Sequence, residues 1–196
     1  MHTEDTRALH RPITLLNTDY KILARIIAYL LRSRSSELLH PSQYCWVTDS
    51  TIFDAVATVR DAMSHVEVTQ DPLCILCLDF KEAFDKISHT YIFRMMRSSG
   101  FSERFITLIR QMYDQATSSV QINRHLAGPI PIRFSVRQGC PMSMLLYALS
   151  LNLLLHVLEK NLTGIRISRR SRKTAVVAYA DYITIFVATL EDIPAI

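Results

Sequence analysis

Apolar positions along the chain fall into blocks of two periods. From Asn17 or Thr18, either suited to cap a helix, to about Arg34, Ile22, Leu23, Ile26, Ile27, Leu30 and Leu31 recur at helical spacing. Lys21, Arg25 and Arg32 lie off that stripe, which predicts an amphipathic helix. Leu39 to Ser50 holds Pro41, Ser42 and Asp49 and reads as a loop. A second helix is expected from Thr51 to about His65, with Ile52, Val56, Val59 and Met63 at helical spacing. Leu73 to Leu78 is a short continuous apolar run ending at Asp79, the pattern of a buried central strand. Helices follow at Thr90–Ser98, closed by Gly100, and at Glu103–Gln115, capped by Ser102. Ser119–Asn123 and Ile130–Val136 read as strands joined by a turn over Asn123–Gly128. A long helix is expected over Pro141–Asn161. Two last strands, Thr174–Tyr179 and Ile183–Ala188, bend at Ala180-Asp181-Tyr182. The order predicts an α+β fold, an antiparallel sheet with helices on one side.

Composition narrows the function classes. Of 196 residues 49% are apolar and 20% charged, so a core can form and intrinsic disorder is not expected. The net charge of +4 suits a polyanionic partner without establishing one. Its distribution says more, since Arg166, Arg169, Arg170, Arg172 and Lys173 crowd one short segment. That cluster reads either as a contact to nucleic-acid phosphates or as a solvated approach to the last hairpin. Cys74 and Cys77 have CxxC spacing, but no second pair completes a zinc site, and within an apolar run they read as small buried hydrophobes. Nothing suggests a disulfide framework, and Met1 to Asp5 has no apolar leader pattern, so an intracellular compartment is expected. Gln138 to Leu158 carries no charge, yet Gly139, Pro141, Ser150, Asn152 and His156 interrupt it, so a core helix rather than a membrane span is expected.

Two aspartates stand beside apolar strands. Asp79 ends one run and Asp181 sits at a predicted hairpin tip. Burying an unpaired carboxylate costs several kcal/mol, which water or a cation at a strand end relieves. Two carboxylates brought together repel, and Mg²⁺ resolves that repulsion because it takes one or two carboxylates plus phosphate oxygens. Taken alone, each aspartate reads more readily as a turn or strand-end residue than as a metal ligand.

Their contexts decide. Leu78-Asp-Phe-Lys-Glu-Ala-Phe-Asp-Lys86 resembles motif A of LINE-type (non-LTR) retrotransposon reverse transcriptases, Ser135-Val-Arg-Gln-Gly-Cys-Pro-Met-Ser143 their motif B, and Ala178-Tyr-Ala-Asp-Tyr-Ile-Thr-Ile-Phe186 their motif C. Upstream, Arg11-Pro-Ile-Thr-Leu-Leu-Asn-Thr-Asp-Tyr-Lys-Ile-Leu23 is similar to the fingers segment before the palm, and His40-Pro-Ser-Gln43 to the block that follows it. The resemblance implies a right-hand polymerase fold with partial fingers over residues 1–70 and a palm over 71–196, without a thumb. It implies RNA-directed DNA synthesis from an RNA template, a DNA primer and deoxynucleoside triphosphates. It also implies a place in a larger polyprotein, no membrane association, and work in the nucleus.

By the same resemblance Asp79 and Asp181 are the catalytic carboxylates that hold two Mg²⁺ ions, with the backbone carbonyl of Phe80 as a further ligand. Phe84 falls at the steric-gate position that excludes a ribose 2′-hydroxyl, and without the motif it reads as a core residue. Gln138 and Gly139 match positions packed near the nascent base pair, where glycine lets the backbone approach closely. Arg11 matches a fingers arginine that pairs with the triphosphate.

The chain departs from the family at the chemistry. The second motif C aspartate is replaced by Tyr182, a neutral phenol at pH 7 and a poor Mg²⁺ ligand. Tyr44 to Thr51 lacks the family's usual Gly-Phe and Gly-Arg pairs, and Met144 stands in place of a proline. Polymerase activity is therefore expected to be strongly reduced or absent. Three readings stay open: a reverse transcriptase domain, a catalytically dead nucleic-acid-binding remnant, and a non-functional product of a decayed copy.

Overall fold

The computed structural model describes residues 14–167 and 173–195. In chain order it has α1 (Thr18–Arg32), α2 (Ser35–Leu38), α3 (Ile52–Thr69), β1 (Cys74–Asp79), α4 (Ala83–Lys86), α5 (His89–Ser98) and α6 (Glu103–Tyr113). There follow β2 (Thr117–Ile122), β3 (His125–Pro131), α7 (Ser143–Asn161), β4 (Val176–Tyr179), β5 (Tyr182–Val187) and a 3₁₀ turn at Leu190–Ala195. Local chemistry places the helix starts. The Ser88 and Ser102 hydroxyls accept from the amides of Tyr91 and Phe105 at the heads of α5 and α6. The Asp54 carboxylate accepts from the Thr51 amide at 2.7 Å at the head of α3.

Three strands form an antiparallel sheet in the order β1-β5-β4, and β2 and β3 form a separate exposed hairpin. Side chains alternate across the three-stranded sheet. Ala178, Ile183, Ile185 and Val187 face the main core, which α1, α5, α6 and α7 complete with Ile27, Ile92, Ile106 and Leu155. Val177 and Phe186 point the other way, onto Ala55 and Ala62 of α3. Helices therefore cover both faces of the sheet, where the sequence pattern suggested one. The uncharged segment ending α7 is indeed core: ten of its helical residues are buried, and no helix among the described residues is long and apolar enough to cross a membrane.

Three other expectations change. The strand after Leu73 lies at the edge of the sheet, with Cys74 and Cys77 exposed, because only its β5 side is paired. The cysteines are thus not buried hydrophobes. On α1 the buried residues are Ala24, Ile27 and Ala28, while Ile22, Ile26 and Leu30 of the apolar stripe are more than half exposed. On α3 it is Ala55 and Ala62 that meet the sheet, and Ile52, Val56 and Met63 face out. Helical periodicity marks apolar stripes, but the close approach of a helix to a sheet selects the small residues.

Candidate active site

The site forms where β1 ends and the β4–β5 hairpin turns. Tyr179 pairs with Tyr182 across a two-residue turn of Ala180 and Asp181, with Ala180 in the left-handed region at φ +54°. A buried glutamine holds this turn. The Gln43 Oε1 accepts from the Cys45 amide at 3.0 Å and from the Ala180 amide at 3.1 Å. The segment around it runs parallel to β4, with the Tyr44 amide donating to the Ala178 carbonyl and the Ala178 amide to that of Ser42. Asp181 is thereby fixed at a tip and is only 9% exposed.

Register brings the second motif position into the site. Asp79 lies directly opposite Tyr182 on the neighbouring strand, so their Cα atoms are about 4.5–5.5 Å apart and their side chains share a face. Asp79 is exposed, and the Tyr182 ring is 56% exposed. Behind them α7 presents Tyr147. Burial pushes its phenol well above the usual tyrosine range, and the nearby charges of Asp181 and Asp79 push it further the same way. One hydroxyl thus feels both carboxylates. Burial also raises the Cys45 thiol, opposed by a hydrogen bond with the Ala180 backbone and assisted by the charge of Asp181.

Of the remaining candidate positions, Phe84 lies against Tyr147 and stacks on its ring with centroids 4.6 Å apart at 26°. The Val136 amide donates to the Phe84 carbonyl and the Ser135 amide to the Ile87 carbonyl, tying the 135–139 segment to α4. The Gln138 amide group donates to Asp85 at 3.1 Å, and its backbone carbonyl accepts from the Thr14 amide. Gly139 has φ +95°, and a Cβ there would stand 3.2 Å from the Thr14 carbonyl, so both backbone angle and space favour glycine. Phe80 follows β1 directly and is partly exposed. Arg166 is exposed, and Lys173 instead donates to the Leu162 carbonyl. Arg11, Arg169, Arg170 and Arg172 lie outside the described residues.

A family model described as reverse transcriptase (RNA-dependent DNA polymerase) matches residues 4–196. The chain belongs to the reverse transcriptase family. It is 37% identical over 183 residues to the transposon TX1 uncharacterized 149 kDa protein of Xenopus laevis, across 93% of this chain and 14% of that protein. It is 29% identical to a retrovirus-related Pol polyprotein from type-1 retrotransposable element R2 of Popillia japonica, across 87% of this chain and 24% of that one. This reverse transcriptase chain therefore spans about a quarter or less of those relatives, and its homology to non-LTR retrotransposon proteins is established. In structure it matches telomerase from Candida albicans with a TM-score of 0.58 at 15% identity, over 88% of this chain and 31% of that one, a likeness of fold.

The donor set decides what such a reverse transcriptase site can hold. The charges of Asp79 and Asp181 both act on the Tyr147 phenol, and the position facing Asp79 across the strand pair is the phenol of Tyr182. No group of three acidic, histidine or cysteine side chains with metal-binding geometry occurs among the described residues. Two carboxylates with substrate phosphates suffice for one Mg²⁺. Sequence reading missed two of the residues that build this geometry. Gln43 sat in a matched block without a role, and Tyr147 is an apolar-helix residue whose exposure to the charge of both acids only the fold reveals.

Proposed function

We propose that this chain is a segment of an RNA-directed DNA polymerase whose nucleotide addition is strongly impaired, with residues 1–70 contributing to fingers and 71–196 forming the palm. The observation that carries this is the register of β1 and β5, which sets Tyr182 against Asp79 where a further carboxylate would complete a two-ion site. Asp79 and Asp181, with the Phe80 carbonyl, would hold one Mg²⁺. When bound there, the ion supplies Lewis-acid activation of a primer hydroxyl and charge stabilisation on the transferring phosphate. Phe84, stacked on Tyr147, would lie under the sugar of an incoming deoxynucleotide and exclude a 2′-hydroxyl. Gln138, oriented by its bond to Asp85, and Gly139 would pack against the new base pair, with Arg11 on the triphosphate. RNA template and DNA primer are the partners this reading requires.

Primer extension on an RNA template tests it, comparing the chain with its Tyr182→Asp variant over a Mg²⁺ titration. Adding the carboxylate is expected to raise the extension rate at least about tenfold, a barrier change of about 1.4 kcal/mol. Robust Mg²⁺-dependent synthesis by the unmodified chain would defeat the claim of impairment. If both proteins stay silent yet bind primer–template, the tyrosine is not the deciding lesion and the nucleic-acid-binding remnant becomes the better account.

A further inference from the structure

A second cavity, of about 720 Å³, lies between α5, α6 and the chain just past β3. None of Asp79, Phe84, Gln138 or Asp181 lines it, so it is separate from the candidate active site. Four arginines are among the residues that line it. Arg94 and Arg97 enter from α5, Arg110 from α6 and Arg133 from beyond β3, against Asp114 as the acidic residue of the lining. Arg94 and Arg97 are three residues apart and so share a helix face. Arg97 is held in a bidentate pair with Glu103 of α6, which keeps its position fixed. The Arg110 guanidinium sits 5.2 Å from the centre of the Phe93 ring. Arg94 and Arg133 are exposed, and their guanidinium groups make no ion pair or hydrogen bond among the described residues.

Four guanidiniums line one concavity, and after Glu103 offsets Arg97 and Asp114 offsets one more, a positive potential remains, which concave walls focus on a mobile anion. The planar forks of Arg94 and Arg133 are free to grip phosphate oxygens in pairs. Of the aromatic rings in the lining, Phe93 and Tyr113 are buried and the half-buried His89 packs against Tyr113, so the cavity offers little aromatic face on which a base would stack. The chemistry therefore favours a backbone rather than base edges. We propose that this cavity is a second nucleic-acid site, gripping the phosphodiester backbone of a single strand outside the catalytic groove. The choice of nucleic acid over an acidic protein rests on the polymerase reading, whereas the basic cavity stands without it.

Photocrosslinking with a single-stranded RNA carrying 4-thiouridine tests this on the unmodified chain, with unlabelled primer–template in excess to fill the catalytic groove. Crosslinks are expected on the tryptic peptides that carry residues 90–97 or 131–133. Crosslinks that appear only around Asp181 and vanish with primer–template would overturn the proposal. In parallel, the double variant Arg94→Gln, Arg133→Gln is titrated with RNA by fluorescence anisotropy at two salt concentrations. Losing two single-strand phosphate contacts lowers the salt slope by about 1.4, so the ratio of wild-type to variant affinity should shrink about sevenfold between 50 and 200 mM salt. An unchanged slope would refute the site. Single-stranded DNA and duplex of equal length serve as competitors to show which backbone is preferred. Displacement by polyglutamate as effective as by RNA would reassign the cavity to an acidic protein and overturn the nucleic-acid claim. None of these readouts requires nucleotide addition, so a failed crosslink and a failed extension assay remain distinguishable.

Discussion

Replacing Gln43 by methionine should loosen the turn that carries Asp181. Gln43 is 2% exposed, and its Oε1 is the acceptor for two backbone amides, those of Cys45 and Ala180. Methionine keeps the length and much of the volume of the side chain but offers no comparable acceptor. Each orphaned buried amide costs about 1–3 kcal/mol. Against that stands a gain, because the Gln43 Nε2 is itself buried with no partner among the described residues, and removing it relieves a penalty of the same order, about 1–3 kcal/mol. Two losses against one gain leave Gln43→Met less stable by about 2 kcal/mol. For a chain of this size that is a fall in Tm of about 4–8 °C. Thermal unfolding followed by circular dichroism measures it, and amide hydrogen exchange at Ala180 and Cys45 should quicken more than at the core strand residue Ile185. An unchanged or higher Tm would refute the reasoning. It would mean that the two amides find water at no cost, and that the segment from Ser42 to Tyr44 is held by its backbone pairing with Ala178 alone.

Two further outcomes follow from single residues. Gly164 has φ +59°, and a Cβ there would stand 2.8 Å from the Thr174 carbonyl, which already accepts from the Ile165 amide. Gly164→Ala should therefore cost more than about 2 kcal/mol, combining the left-handed backbone penalty with a displaced bridge, and lower Tm by more than about 4 °C. His89 gives a pH dependence. Burial holds its imidazole below the usual histidine range, assisted by the charge of Arg137 and opposed by its hydrogen bond to the Ser135 carbonyl. The unfolded chain then binds the proton more readily than the folded one, so stability is lost as the pH falls through about 6.5 towards the folded value. Urea midpoints at about pH 7.5 and pH 5.5 should differ in the wild type, and His89→Gln should shrink that difference.

Element order and type were legible because the signals are local. The caps at Ser88 and Ser102, the turn at Ala180 and the uncharged run of α7 each act within a few residues. Which face of a helix is buried is set by partners far away in sequence, and there the reading failed. Ala24 and Ala28 of α1, and Ala55 and Ala62 of α3, were passed over for larger neighbours that face out. The same gap hid the edge position of β1, since an apolar run says nothing of how many neighbours its strand has. The site was half legible for a related reason. Asp79, Asp181 and the substitution at Tyr182 stand in recognisable strings, but the string cannot say that Tyr182 faces Asp79. That follows from antiparallel register, since a slip of one residue would turn Tyr182 to the other face of the sheet. Nor can it say that Gln43, 137 residues before Ala180, is the acceptor that fixes the turn. The lesion is thus more specific than a missing letter in a motif. On the proposed reading, Asp79 and Asp181 keep their places at the strand end and the hairpin tip while Tyr182 sets a phenol rather than a carboxylate opposite Asp79, which is why one substitution at Tyr182 is the informative experiment.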